Sequence, residues 1–102
     1  MKDYLVKTQY GNETVQITLA KYANGNLAIQ LVCDGWEPFA IITKNFEQKL
    51  IGNMAYVDKN NCPWVEQFIK ENELGERVEG EQMYSGFCEY PLYRFDLKKL
   101  KQ

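Results

Sequence analysis

The sequence predicts an α+β domain: an antiparallel sheet of about five strands, an N-terminal four-stranded meander plus a C-terminal strand, with one amphipathic helix over about residues 62–74 packed on one face. Three observations carry the prediction. Apolar residues alternate through "TVQITLA", turn sequences recur at hairpin spacing, and a single stripe of helical period follows "NNCPW". At 102 residues, 45% apolar and 25% charged, the chain is expected to form a single domain, 1–102, with one core.

In the first hairpin Val15, Ile17 and Leu19 alternate with Thr14, Gln16 and Thr18. A two-residue Gly11-Asn12 turn sets Tyr4, Val6 and Thr8 opposite Leu19, Ile17 and Val15, and glycine in the first turn position suits type II′. At the second turn, a two-residue Asn24-Gly25 loop would place the apolar stripes on opposite faces. A three-residue loop, Ala23-Asn24-Gly25, puts Leu19 opposite Ile29 and Ile17 opposite Leu31. It also leaves glycine where a type I turn with a G1 bulge needs a left-handed residue. The "DGWEP" stretch then turns the chain into a fourth strand around Phe39–Thr43, and a short strand is expected at Met54–Val57.

The helix follows. Asn61 is positioned to cap it, Pro63 suits its first turn, and Gly75 suits its end. Trp64, Val65, Phe68 and Ile69 fall on one face, with Glu66, Gln67, Lys70 and Glu71 facing water. Glu76–Ser85 reads as a polar loop and Phe87–Phe95 as the closing strand. Pro91 lacks a backbone donor, which predicts an edge or a bulge there.

That closing stretch holds rings at Tyr84, Phe87, Tyr90, Tyr93 and Phe95, at intervals matching neither a strand nor a helix. A bulged strand that keeps its rings in the core accounts for the spacing, with one or two of them partly exposed. The alternative is an exposed stacking platform, but such a platform wants interleaved cations and only Arg94 is present. Trp64 reads as a core anchor. Trp36, in a turn, is the candidate exposed aromatic.

Composition narrows the chemistry. The chain contains no histidine, which removes the commonest general base near neutral pH and the usual partner of a serine or cysteine nucleophile. Cys33, Cys62 and Cys88 are widely spaced with no C-x-x-C, which argues against a zinc site or a disulfide framework. We expect no metal and no cofactor. Carboxylate or magnesium chemistry would fall to Glu37, Asp58, Glu89 and Asp96, whose spacing does not bring them together. No apolar run approaches the length of a membrane span, and the N-terminus alternates like a strand rather than a signal peptide. The expected setting is cytoplasmic, without membrane partners.

The formal charge of −2 is unevenly spread. Residues 65–90 carry a local balance of −5, whereas residues 91–102 carry +3 and read as a frayed basic tail. Glu71, Glu73, Glu76, Glu79 and Glu81 are the candidate acidic surface for a basic partner. Arg94, Lys98, Lys99 and Lys101 are the candidate contacts of the alternative, a nucleic-acid-binding module.

Three blocks carry a family resemblance: "NLAIQL" (26–31), "NNCPW" (60–64) and "SGFCEYPLYRFDL" (85–97). In this order and spacing the chain resembles, from Tyr4 to Leu97, a family of bacterial domains of unknown function found on conjugative elements, plasmids and phages. The resemblance implies no activity. It implies a setting: an accessory protein of mobile DNA. The functional expectation is therefore a small, non-enzymatic interaction protein, an inhibitor of a host defence nuclease of the RNA-guided or restriction type. The partner is expected to be a protein, with monomer and edge-paired dimer both open.

Overall fold

Strands β1 (Tyr4–Thr8), β2 (Gly11–Lys21), β3 (Leu27–Cys33) and β4 (Glu37–Ile41) form an antiparallel meander, neighbours in chain order. Strands β5 (Thr43–Lys44), β6 (Met54–Val57), β7 (Gly75–Ser85) and β8 (Cys88–Phe95) form a second antiparallel sheet in the order β5-β6-β8-β7. Helix α1 (Val65–Glu71) joins β6 to β7, and a short helix α2 (Leu97–Leu100) follows β8. These elements come from a computed structural model that describes residues 2–102. The meander agrees with expectation, but two sheets replace the single five-stranded one. Among the described residues no helix is long and apolar enough to cross a membrane.

The chain passes from one sheet to the other at Ile42. Its N–H donates to the Ile29 carbonyl at 3.1 Å, and its carbonyl accepts from Asp58 N–H at 2.9 Å. The inner faces of both sheets and α1 enclose the main core, which includes Val6, Val15, Ile29, Leu31, Ile42, Val57, Phe68, Ile69, Tyr93 and Phe95. A smaller core lies on the other face of the second sheet, where Tyr56, Tyr90 and Leu92 pack with Phe46, Leu50, Met54 and Met83.

The β2–β3 register is the expected one. Leu19 faces Ile29, Ile17 faces Leu31, and Gly25 takes a φ of +89° in the loop. The β1–β2 register differs from expectation. Tyr4 faces Val15 and Thr8 faces Gly11, so Gln9 and Tyr10 make the turn. The Thr8 hydroxyl decides this, accepting from Tyr10 N–H at 3.1 Å and donating to the Gly11 carbonyl at 2.8 Å. The four-residue offset is even, so Tyr4 and Val6 still face the core.

The helix is shorter than the predicted 62–74, and its caps differ. Trp64 occupies the N-cap position without a side-chain bond. Asn61 instead donates its amide to Asp58 Oδ2 at 2.8 Å. The C-terminus is a Schellman turn: Leu74 N–H reaches the Ile69 carbonyl at 3.0 Å and Glu73 N–H the Lys70 carbonyl at 3.2 Å. The left-handed residue that this turn requires is Glu73, at a φ of +52°, and not Gly75.

Glu76–Ser85 is a strand, not a loop. As the outer strand of its sheet β7 exposes residues on both faces, so no alternation of apolar residues marks it. Beside it β8 is internal, and Pro91 is buried rather than at an edge. The expected irregularity lies in the partner strand, where β7 leaves register between Arg77 and Gln82, opposite Tyr93 and Pro91. The ring spacing follows from burial of β8 on both faces. Tyr93 and Phe95 enter the main core while Tyr90 enters the smaller one, so an interval of three crosses the sheet without a kink.

Candidate functional site

Side chains most exposed among the large apolar residues sit at hairpin tips. Tyr10 in the β1–β2 turn is 91% exposed, Trp36 in the β3–β4 turn 74%, and Phe87 in the β7–β8 turn fully exposed, with Tyr84 beside it at the end of β7. Each turn has a local reason. Asp34 and Gly35 both take positive φ, and Trp36 N–H closes the turn on the Cys33 carbonyl at 3.1 Å. Gly86, at a φ of +62°, allows the two-residue Gly86-Phe87 turn between the paired Ser85 and Cys88. The exposure of Trp36 is as its turn sequence predicts. The Tyr84–Phe95 rings divide into three buried and two exposed. Tyr10 went unnoticed in the sequence, although an aromatic next to glycine at a strand end is a signal for such a tip.

The structure brings the acidic and basic segments together. Glu71 pairs with Lys7 at 3.2 Å, and that contact holds its carboxyl below the usual carboxylate range. Glu73 pairs with Lys99 at 3.3 Å, and Arg77 bridges Glu66 and Glu89 at 3.3 and 3.4 Å. Lys59 adds a second cation at Glu89, 3.4 Å away. Buried Tyr93 donates its hydroxyl to Glu66 Oε1 at 2.7 Å, and desolvation followed by that carboxylate pushes its pKa up. Among the described residues Glu76, Glu79 and Glu81 have no ion-pair partner. All three lie on β7, where charge and the break in register blunt an exposed sheet edge against pairing with another chain.

The basic tail is not frayed. Asp96 caps α2, its Oδ1 accepting from Lys98 and Lys99 N–H, and Leu100 is buried in the main core. Tyr4 ties the helix to β1 by donating to the Lys99 carbonyl at 3.2 Å. Lys99 is spent on Glu73, and Arg94 stands in register opposite Glu76. Lys98 and Lys101 remain as exposed cations.

The carboxylates considered for metal or acid–base chemistry are not assembled. Asp58 is occupied by Asn61, Glu89 by Arg77 and Lys59, and Asp96 by the α2 cap, while Glu37 stands apart on β4. Among the described residues no group of three or more His, Cys, Asp or Glu is placed to hold a metal ion. Of the free thiols, Cys62 is buried, and burial with Asp58 nearby pushes its pKa up to about 11.

A domain of unknown function, DUF4313, matches residues 15–102. The chain belongs to this family. The match takes in both sheets from Val15 onward, with Trp36, Phe87 and the acidic strand, and leaves out β1 and the Tyr10 tip. No curated protein and no solved structure matches the chain.

Proposed function

We propose that this DUF4313 protein is a small, non-enzymatic interaction protein that meets a protein partner through its aromatic hairpin tips. The carrying observation is the placement of Trp36 and Phe87 on tight turns with their rings in water. Trp and Tyr dominate the energetics of protein interfaces, and a ring on a rigid hairpin loses little freedom on binding. In its finer form the proposal places the protein in the cytoplasm as an accessory of mobile DNA that inhibits a host defence nuclease. Support for that form comes from the family resemblance and from Glu76, Glu79 and Glu81. These carboxylates make no ion pair among the described residues, lie along one edge and suit the basic channel of a nucleic-acid enzyme. A nucleic-acid-binding role is weakened by the pairing of Lys99 and by the acids next to Arg94.

Affinity capture from lysate of the source organism tests the proposal, using wild-type protein, the Trp36→Ser/Phe87→Ser variant and the Glu76→Gln/Glu79→Gln/Glu81→Gln variant. A protein retained by wild type and lost with the aromatic variant is the expected result. Loss with the acidic variant as well, together with identification of the partner as a nuclease, supports the finer form. Recovery of nucleic acid alone, released by raising the salt, would overturn both in favour of the basic-tail reading.

A further inference from the structure

A groove of about 740 Å³ runs between the β1–β2 hairpin and the start of α1. This volume falls within the roughly 300–1,000 Å³ of ligand sites. Tyr10 and Glu13 stand on the hairpin side, Asn61, Pro63 and Trp64 on the helix side, and Phe39 comes from β4. The rings are positioned by the fold. Between the paired Leu31–Ala40 and Val32–Pro38, Phe39 is the extra residue of a β-bulge, a device that re-aims a side chain. It packs on Trp64 at 5.9 Å between centroids, and Phe68 meets the same Trp64 ring edge-on, also at 5.9 Å. Trp64 is thus wedged and half-buried. Among the described residues no buried polar side-chain atom lacks a partner, so the Trp64 indole N–H and the Tyr10 hydroxyl, which bond to no protein group, face solvent.

Charge gives the groove a direction. Lys7, on its wall, is taken by Glu71 at 3.2 Å, which leaves Glu13 as the uncompensated charge. Asp34 and Glu37 add to the negative potential around Glu13. Besides desolvation, all three acids raise the pKa of the one thiol at Cys33.

We propose that this groove binds a proline-rich peptide segment in the polyproline II conformation, with a basic residue of the peptide beside Glu13. Such a segment makes no internal backbone hydrogen bonds and leaves its carbonyls free to accept, and its flat prolyl rings stack on aromatic walls. The solvent-facing indole N–H of Trp64 supplies the donor, Tyr10, Phe39 and Pro63 supply the walls, and Glu13 selects the cation. Nucleic acid fits poorly, because Glu13 repels phosphate and the nearest cation is already paired. The inference rests on the reading of the protein as an interaction module and names its partner class. It also predicts a feature outside the matched family region, since Tyr10 and Glu13 precede residue 15.

Fluorescence anisotropy with fluorescein-labelled decaproline ending in arginine tests it, against decaproline ending in glutamate and a Gly/Ser decapeptide ending in arginine. The arginine-ended decaproline should bind, and Tyr10→Ser, an exposed change, should weaken it at least about tenfold. Glu13→Gln should leave binding but abolish the preference for arginine over glutamate. Equal binding of the Gly/Ser peptide would show charge attraction alone and overturn the proposal. No binding at about 1 mM peptide, or binding unaffected by Tyr10→Ser, would overturn it too. A partner still captured through Trp36 and Phe87 in that case would leave the interaction reading standing, so the two failures are distinguishable.

Discussion

Replacing Gly75 with alanine should cost about 2 kcal/mol of stability, for a reason unrelated to ending a helix. A methyl group on Gly75 would lie 2.7 Å from the Arg94 carbonyl oxygen, 3.1 Å from Phe95 Cα and 3.2 Å from Phe95 Cδ1. The first of these is well inside van der Waals contact and involves backbone, which must move by several tenths of an ångström. The β8 backbone has little freedom to move there. Phe95 N–H is held by the Asn53 carbonyl and the following Asp96 N–H by the Leu74 carbonyl, both at 2.8 Å. Overpacking of this kind costs about 1–3 kcal/mol. Because the 2.7 Å contact is with backbone, the cost lies near the upper end of that range, and the roughly 0.4–1 kcal/mol that alanine returns by restricting the unfolded chain leaves about 2 kcal/mol net. At about 4–8 °C per kcal/mol for a domain near this size, the midpoint of thermal unfolding should fall by roughly 8–16 °C. Circular dichroism melts of wild type, Gly75→Ala and Gly75→Asn measure it. Asparagine tolerates the left-handed conformation but is larger than alanine, so close approach predicts that it is no better. A Gly75→Asn protein more stable than Gly75→Ala would refute the packing argument and restore Gly75 as a helix stop.

Two further outcomes follow from the same structure. Glu73→Gly should keep or raise stability by up to about 1 kcal/mol, because glycine takes the φ of +52° without the strain of a side chain, and the exposed Lys99 pair it loses is worth little; a clear drop in the urea midpoint would count against the Schellman assignment. Cys62 titrates near 9.0 when unfolded and about 11 when folded, so the folded chain holds its proton more tightly. Its contribution to stability is therefore complete below about pH 9 and lost as pH rises toward 11, with buried Tyr4, Tyr56 and Tyr93 adding to the loss above 10. Urea unfolding across that range should show the decline starting near pH 9 and a later onset in Cys62→Ala; the same onset in both would exclude Cys62 as the source.

Sequence reasoning reached the β2–β3 register because two constraints agreed there: a glycine at the left-handed loop position, and apolar stripes that had to share a face. At β1–β2 the apolar pattern constrained only the parity of the register. The remaining choice was made by the Thr8 hydroxyl across the turn, a contact that spacing does not encode. The helix stripe of Val65, Phe68 and Ile69 was legible from its period, but its termination was misread because the left-handed position was filled by a glutamate. Trp36 could be placed at the surface from its turn sequence alone. The groove could not be placed, since it joins Tyr10, Phe39 and Trp64 from separate elements.

By itself the sequence determined the meander, the helix face and the surface position of Trp36. These depend on neighbours a few residues apart. Tertiary structure alone decided the second sheet, because an edge strand exposed on both faces carries no alternation and an internal strand buried on both faces carries no polar face. It also decided the fate of the charges. Glu71 and Glu73 stand apart from Lys7 and Lys99 along the chain, and folding brings each acid within 3.3 Å of its cation. What reads in the sequence as an acidic segment and a basic tail is, in space, a largely compensated surface with Glu76, Glu79 and Glu81 left along one edge. Coulomb attraction acts over ångströms in space, and separation along the chain does not record it.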